Sequence, residues 1–383
     1  MTTSDSAPEL TRREMYAAIR KLCAPDNYTN WFVLVREYAV YAAIVAGCLW
    51  SIRSLAAAGW SWGWQVPIYA VTVFLIGFWS QTRLATLVHE SSHYLLFKNR
   101  LLNDVMANLL VVFPFFGKVG NYRIGHWGHH RNVNDLEHDP DLLRLLKHHP
   151  REFPLTRWRF LWEYVLLQFS PHKAFSYLKG RAEYVTFMKE EDNIQDRSPL
   201  SPRALKLLRL AYYGTLVAVL AYFNLWLYYF VFWLVPLITV YPASLFLREI
   251  AHHGNFPDNG DYTNSRVYEG LWLEREIFFP FGEWNHVLHH MFPTIPWHKM
   301  REAHNLMMRY PPYRDNVVIC DGFMFKGHMG DEYPTVLDVL SKPSHTYLRG
   351  DLSQRETSEI RRSTAEEIGT TEKHMDKMLA GES

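Results

Sequence analysis

A chain of 383 residues is long enough for one large domain or two ordinary ones. Its 40 Lys and Arg balance 39 Asp and Glu, so it carries no electrostatic footprint for nucleic acid. The three cysteines, Cys23, Cys48 and Cys320, lie far apart without a CxxC pair, which argues against a disulfide framework and a thiolate metal site. Any metal must use nitrogen or oxygen ligands, and the 19 histidines fall in clusters.

The N-terminal stretch to about Lys21 carries charges of both signs and no continuous apolar run, so it does not read as a cleaved secretory signal. Residues 1–37 read as a cytoplasmic lead-in. A first membrane span is predicted from about Tyr38 to Ala58, interrupted only by Arg53 and small polar residues. A second runs from about Val66 to Ser80 and continues helically through Gln81 and Arg83. Val105 to Phe116 is too short to span and reads as interfacial or re-entrant. From Leu210 to Leu247 there is no Asp, Glu, Lys or Arg. As one helix this stretch would reach about 57 Å, nearly twice a bilayer core of about 30 Å. It is therefore split near Asn224 into two spans, with Pro236 and Pro242 tolerated inside the second.

Four spans make two hairpins. The short turns on one side carry only Arg53 and no Lys, whereas the long connections on the other side are dense in both, so the long connections and both termini are placed in the cytoplasm. The expected architecture is all-α and integral to the membrane: residues 38–340 form the membrane domain with a helical cytoplasmic cap, and 341–383 a polar C-terminal tail.

Every histidine cluster falls on that cytoplasmic side. HESSH places His89 and His93 one helical turn apart on one face, where two imidazoles can share a metal. Alone, this is also the zinc-protease pattern with Glu90 as general base. HWGHH supplies His126, His129 and His130, and HVLHH supplies His286, His289 and His290 at identical spacing. His253 follows the last span and points to the same region. Imidazole suits iron, zinc and copper, so the residue types narrow the metal without choosing it.

HESSH, HWGHH and HVLHH among four spans resemble the three histidine boxes of the membrane fatty acid desaturase and hydroxylase superfamily. The resemblance runs from about Val66 to Asn305 and is closest to bacterial acyl-lipid desaturases around DYTNSR at 261–266 and EWNHVLHHMFPTIPWHKM at 283–300. It implies two non-haem irons held by His89, His93, His126, His129, His130, His286, His289 and His290, and O2 as co-substrate. His253 matches a further histidine found after the last span in related enzymes. His252 departs from the pattern, standing where many relatives carry glutamate. Two ferrous ions among neutral imidazoles leave roughly four positive charges to offset, so carboxylates are expected to orient the imidazole N–H groups. The candidates are Glu90, Asp135, Asp139, Glu249 and Glu283. His138, His148, His149, His298 and His304 break the spacing and read as surface or core residues.

The chain has neither a dinucleotide fingerprint nor cysteines for an iron–sulfur cluster. Electrons are therefore expected from a ferredoxin, rubredoxin or cytochrome b5 with its reductase. Desaturation of a fatty-acyl or other lipid-like substrate is the first reading, and hydroxylation on the same scaffold the second. A zinc metalloprotease would leave both HxxHH groups without a role. A non-catalytic membrane metal carrier would place its histidines along the spans rather than beyond them.

Overall fold

The computed structural model describes residues 8–149, 153–188, 194–255, 260 and 262–343. The polar segment 341–383 lies outside the described residues beyond Pro343, as does Asp261 of DYTNSR.

Helix α1 (Arg12–Arg20) begins in a capping box between Thr11 and Glu14. Helix α2 (Thr29–Ala57) starts nine residues before the expected first span. Arg36 and Glu37 interrupt the apolar run in the sequence, but Glu37 is 1% exposed and its Oε2 lies 2.9 Å from Nε of Arg83. The charge that argued against a span at this point is matched by the next helix. Helix α3 (Trp62–Ser92) is continuous through one widened turn at Ile76–Gln81 and carries HESS of the first box in its last turn. Gln81 donates from Nε2 to the Trp233 carbonyl, and Thr82 and Ser244 hydroxyls lie 2.9 Å apart, so α3 is tied to the helix that ends at His253.

Helices α4 (Arg100–Phe115) and α5 (Val119–Asn132) meet at 90°. The turn forms where Phe116 takes a left-handed φ of 64°. The expected short segment 105–116 is thus the second half of α4. Beyond α6 (Pro140–His148), a mixed helical run over 157–169 and α7 (Pro171–Ala182), the long uncharged stretch divides into α8 (Pro202–Tyr222) and α9 (Trp226–His253). Asn224, at φ 53°, makes the break expected near it, and Pro242 is accommodated inside α9.

Helices α2, α3, α8 and α9 are long and apolar enough to cross a membrane. Protein covers only 6% of the apolar window of α8 and 22% of that of α2, against 67% for α3 and 61% for α9. Helices α3 and α9 therefore form the inner pair, and α8 and α2 turn an apolar surface outward that suits hydrocarbon rather than water.

The last third of the described chain folds over the ends of α3 and α9. It contains α10 (Trp272–Phe278), α11 (His286–Met291), α12 (Met300–Met307) and α13 (Val336–Ser341). Two short parallel strands, β1 (Val267–Tyr268) and β2 (Ile319–Cys320), pair Val267 with Ile319 and Tyr268 with Cys320. Ile250 of α9, Val287 and Leu288 of α11, Met307 of α12 and Leu340 of α13 share one buried core, which holds the third histidine box against the end of α9.

Candidate metal centre

Each histidine box owes its shape to a local device. The end of α3 is held by Arg123 of α5, which donates from Nε to the Ser92 carbonyl at 3.0 Å and from Nη2 to Asp104 Oδ1 at 2.6 Å. That clamp docks the first box on the helix carrying the second. Within α5, Gly125 and Gly128 admit Tyr184 and Met188 so closely that a Cβ at either position would collide with them. Helix α11 starts at Asn285, whose side-chain oxygen accepts from the Leu288 amide at 3.0 Å.

These helices bring all nine predicted histidines together in two groups. His89, His93, His126, His130 and His289 form one, and His129, His253, His286 and His290 the other, the nitrogens in each lying within 4.8 Å of one another. The division follows helix geometry. In both HxxHH boxes the i, i+4 pair stays together and the middle histidine crosses over: His126 and His130 join one group and His129 the other, while His286 and His290 join the second and His289 the first. Neighbours in sequence point about 100° apart on a helix, so one box can serve two centres.

The spacing within the first group suits a metal ion. Nε2 of His126 lies 2.9 Å from Nε2 of His93 and 3.0 Å from Nε2 of His130, which is 2.9 Å from Nε2 of His289. A neutral imidazole has one N–H, so such a chain of facing nitrogens is poorly served by hydrogen bonds alone. Nitrogens at right angles around a metal with bonds of about 2.1 Å would be about 3 Å apart. In the second group, Nε2 of His290 and His253 lie 3.3 Å apart. The donor set fits a pair of first-row ions.

Burial pushes the imidazoles of His126, His130, His286, His289 and His290 well below the usual histidine range, and the neighbouring histidines push the same way, opposed only at His289 by Glu283. Their lone pairs are thus free for coordination at neutral pH. His129 is the exception: burial lowers it, but the charge and hydrogen bond of Asp139 outweigh that, and both Asp139 oxygens lie 3.0 Å from Nδ1. A proton held on Nδ1 leaves Nε2 for the metal. His253 reaches the same tautomer through Nδ1, 3.2 Å from the Asn264 carbonyl oxygen.

The five candidate carboxylates separate. Glu283 lies 2.8 Å from His89 Nδ1, 3.7 Å from His286 Nδ1 and 3.9 Å from His252 Nδ1. Burial would raise its carboxyl, but the charge and hydrogen bond of His89, with Arg248, hold it well below the usual range. Asp139 binds His129. Asp135 instead faces His138 Nδ1 at 3.3 Å near the surface, and Glu249 pairs with Arg144 at 2.9 Å, so neither orients a box imidazole. The Glu90 carboxylate faces the Trp297 amide at 3.4 Å. The HESSH helix is thus joined by three further imidazoles in its group, more than a protease-type site uses.

His252, set aside in favour of His253, is part of the site in another way. Its ring stacks on His286 with centroids 3.8 Å apart and planes 9° from parallel, and with Glu283 and His286 it makes a third tight cluster. Only the HH pair at the end of α9 signalled it in the sequence. His304 is a core residue 2.9 Å from Asn285 Nδ2, and His148 meets Glu183.

Comparison with known proteins agrees with this geometry. The profile of the fatty acid desaturase family matches residues 62–321, from the start of α3 through β2. Dihydrorhizobitoxine desaturase of Bradyrhizobium elkanii is 28% identical over 327 residues, covering 83% of this chain and 86% of that protein. A chloroplastic omega-3 fatty acid desaturase of Brassica napus is 25% identical over 77% of this chain and 72% of its own length. A Delta 8-(E)-sphingolipid desaturase of Kluyveromyces lactis is 23% identical over 63% of this chain and 46% of its own length. With the family profile spanning every histidine box, the chain belongs to the fatty acid desaturase family, a family of membrane oxidoreductases.

Proposed function

We propose that this chain is a di-iron, O2-dependent desaturase of a lipid-like substrate. The observation that carries the reading is the sorting of nine imidazoles into groups of five and four at the ends of apolar helices. One iron would be held by His89, His93, His126, His130 and His289, the other by His129, His253, His286 and His290. When bound, the iron pair would supply the O2 chemistry that takes hydrogen from an unactivated C–H bond. Forming one double bond while reducing O2 to two waters uses two electrons and two protons from the substrate. It uses two more of each from outside: a donor of the ferredoxin, rubredoxin or cytochrome b5 type would deliver the electrons, and solvent the protons.

The chain's own residues prepare the site. Asp139 and the Asn264 carbonyl keep protons on Nδ1 of His129 and His253, and Glu283 supplies one negative charge to imidazoles of both groups. In our reading α2 with α3 and α8 with α9 form two membrane hairpins. The remaining helices of residues 38–340 cap their cytoplasmic ends, with both termini on that side.

The test is metal content of protein purified in mild detergent, with mass spectrometry of lipids from cells that express it beside a reductase system. About two irons per chain and a product two hydrogens lighter are expected. His126→Ala and His290→Ala, one from each group, should each lose iron and turnover while the helical content is kept. A product one oxygen heavier would replace desaturase by hydroxylase, and zinc without oxidised product would overturn the reading.

A further inference from the structure

Two segments outside the four spans turn large apolar side chains outward. In the helical run 157–169, Trp158, Trp162 and Leu166 recur every fourth residue and are 81%, 59% and 51% exposed. The other side of the same run is buried, with Phe160 and Tyr164 in the core of the cap. At the start of α10, Leu271, Trp272 and Leu273 are all more than half exposed. Phe325 is 75% exposed on a loop that Asp321 holds by accepting from the His328 and Met329 amides at 3.1 and 2.8 Å. Facing water, so much ordered apolar surface would be unfavourable.

Aromatic contacts join both segments to one side of α3. Ring centroids of Phe169 and Phe74 lie 6.3 Å apart, those of Phe74 and Phe78 5.0 Å, and those of Phe78 and Phe278 of α10 5.5 Å. Phe278 meets Phe323 at 4.7 Å, and Phe323 returns to Phe160 of the run at 6.2 Å. The outward side chains of both segments therefore border the same stretch of α3. Phe74 in that stretch is itself 43% exposed.

The position of this stretch along α3 decides what covers the segments. Trp60, Trp62 and Trp64 are exposed at the far end of α3, and indoles of this kind mark a membrane interface. Counted from Trp62, Phe74 lies about 18 Å and Phe78 about 24 Å along the helix. A hydrocarbon core of about 30 Å that begins at Trp62 thus ends about 6–12 Å beyond these two rings. Helices lying in a membrane interface sink about 5–10 Å into it. The same count puts His89 about 40 Å from Trp62, outside the core.

We propose that the run 157–169, residues 271–278 and the loop tip at Phe325 form an interfacial collar, with bilayer lipid as the partner that covers their outward side chains. The collar seats the cap on the membrane beside α3 and holds the histidine centre at a fixed height above the hydrocarbon. Indoles at Trp158, Trp162 and Trp272 suit that depth, where a ring can be immersed while its N–H stays wet. The charges of the run are paired, Arg159 with Glu163 at 2.9 Å and Arg157 with Asp338 at 3.1 Å, so none enters the interface without a counter-ion. This rests on the reading of α3 and α8 as membrane spans.

The full chain would be reconstituted in phosphatidylcholine vesicles with one nitroxide label at a time. A Cys23→Ala background suffices, since Cys48 and Cys320 are buried. Labels at Trp162→Cys, Trp272→Cys and Phe325→Cys probe the collar. Val217→Cys on α8 and Glu302→Cys on α12, at positions 52% and 61% exposed, serve as references for the membrane core and for water. Accessibility to O2 against a water-soluble nickel chelate, read by EPR power saturation, gives the depth of each label. We expect the collar labels to favour O2 at depths of roughly 5–10 Å, between Val217 and Glu302. Quenching of tryptophan fluorescence by brominated lipid should also be weaker in Trp158→Phe than in wild type, which checks the collar without a label. Collar labels as open to the chelate as Glu302 overturn the proposal. So do labels shielded from both reagents whose shielding is lost on dilution in lipid, because a second copy of the chain would then be the occupant. A Val217 label open to the chelate overturns the membrane reading of α8 and the collar with it, whereas an O2-rich Val217 beside aqueous collar labels sinks the collar alone.

Discussion

Oε1 of Glu283 lies 2.8 Å from Nδ1 of His89, and its second oxygen lies 3.7 Å from Nδ1 of His286. One carboxylate thus touches an imidazole from each of the two groups. Replacing it by Gln keeps the shape but removes the charge that orients both rings. Glu283→Gln is expected to lower iron affinity or turnover by roughly 10–100-fold. An iron titration and a turnover assay indistinguishable from wild type would show that the contact is incidental.

Asp139 does two things that substitutions can separate. It accepts from the Asp141 and Leu142 amides as the cap of α6, and it faces His129 Nδ1. Asn is as good a cap as Asp but carries no charge, so Asp139→Asn should keep the melting temperature and weaken metal binding by roughly ten-fold. Asp139→Ala should weaken metal binding as much and, having lost the cap, also lose about 1 kcal/mol in stability. Equal iron affinity in wild type and Asp139→Asn would contradict this division.

Arg83 and Glu37 are 2% and 1% exposed where α3 meets α2, with Arg83 also reaching Glu276 at 2.8 Å. Removing Arg83 leaves buried Glu37 with only the exposed Arg36, 2.6 Å from its Oε1. Arg83→Met is therefore expected to cost about 3 kcal/mol, the low end for a broken buried pair, and the double variant Arg83→Met with Glu37→Leu to recover much of that loss. Denaturation in detergent measures both, and a double variant as unstable as the single one would refute the pairing argument.

His304 gives a pH signature. Burial pushes its imidazole down to about 4, partly opposed by Glu269. The unfolded chain titrates near 6.5, so between those values it binds more protons than the folded chain. Stability from this residue is present above about 6.5 and lost as pH falls toward 4, roughly 1–3 kcal/mol in all. His304→Gln should flatten the acid side of the melting-temperature profile, and an unchanged slope would assign the loss elsewhere.

Much of the fold was legible because it is written in local chemistry. The charge-free run from Leu210 to Leu247 had to break, and Asn224, which tolerates positive φ, marks the place. The start of α2 was less legible, since Arg36 and Glu37 look like an end to an apolar run until Arg83 is brought beside Glu37. Among the carboxylates, proximity in sequence misled. Glu90 lies inside the first box yet faces a backbone amide, whereas Glu283 meets His89, a residue 194 positions earlier in the chain.

By itself the sequence determined which side chains could ligate, because i, i+3 and i+4 spacing sets faces within one helix and needs no partner. Which imidazole shares a centre with which was decided only by tertiary packing. His129 parts from His126 and His130, and His289 from His286 and His290, because adjacent helical positions diverge by about 100° and only the crossing of α3, α5, α9 and α11 gives each direction a destination.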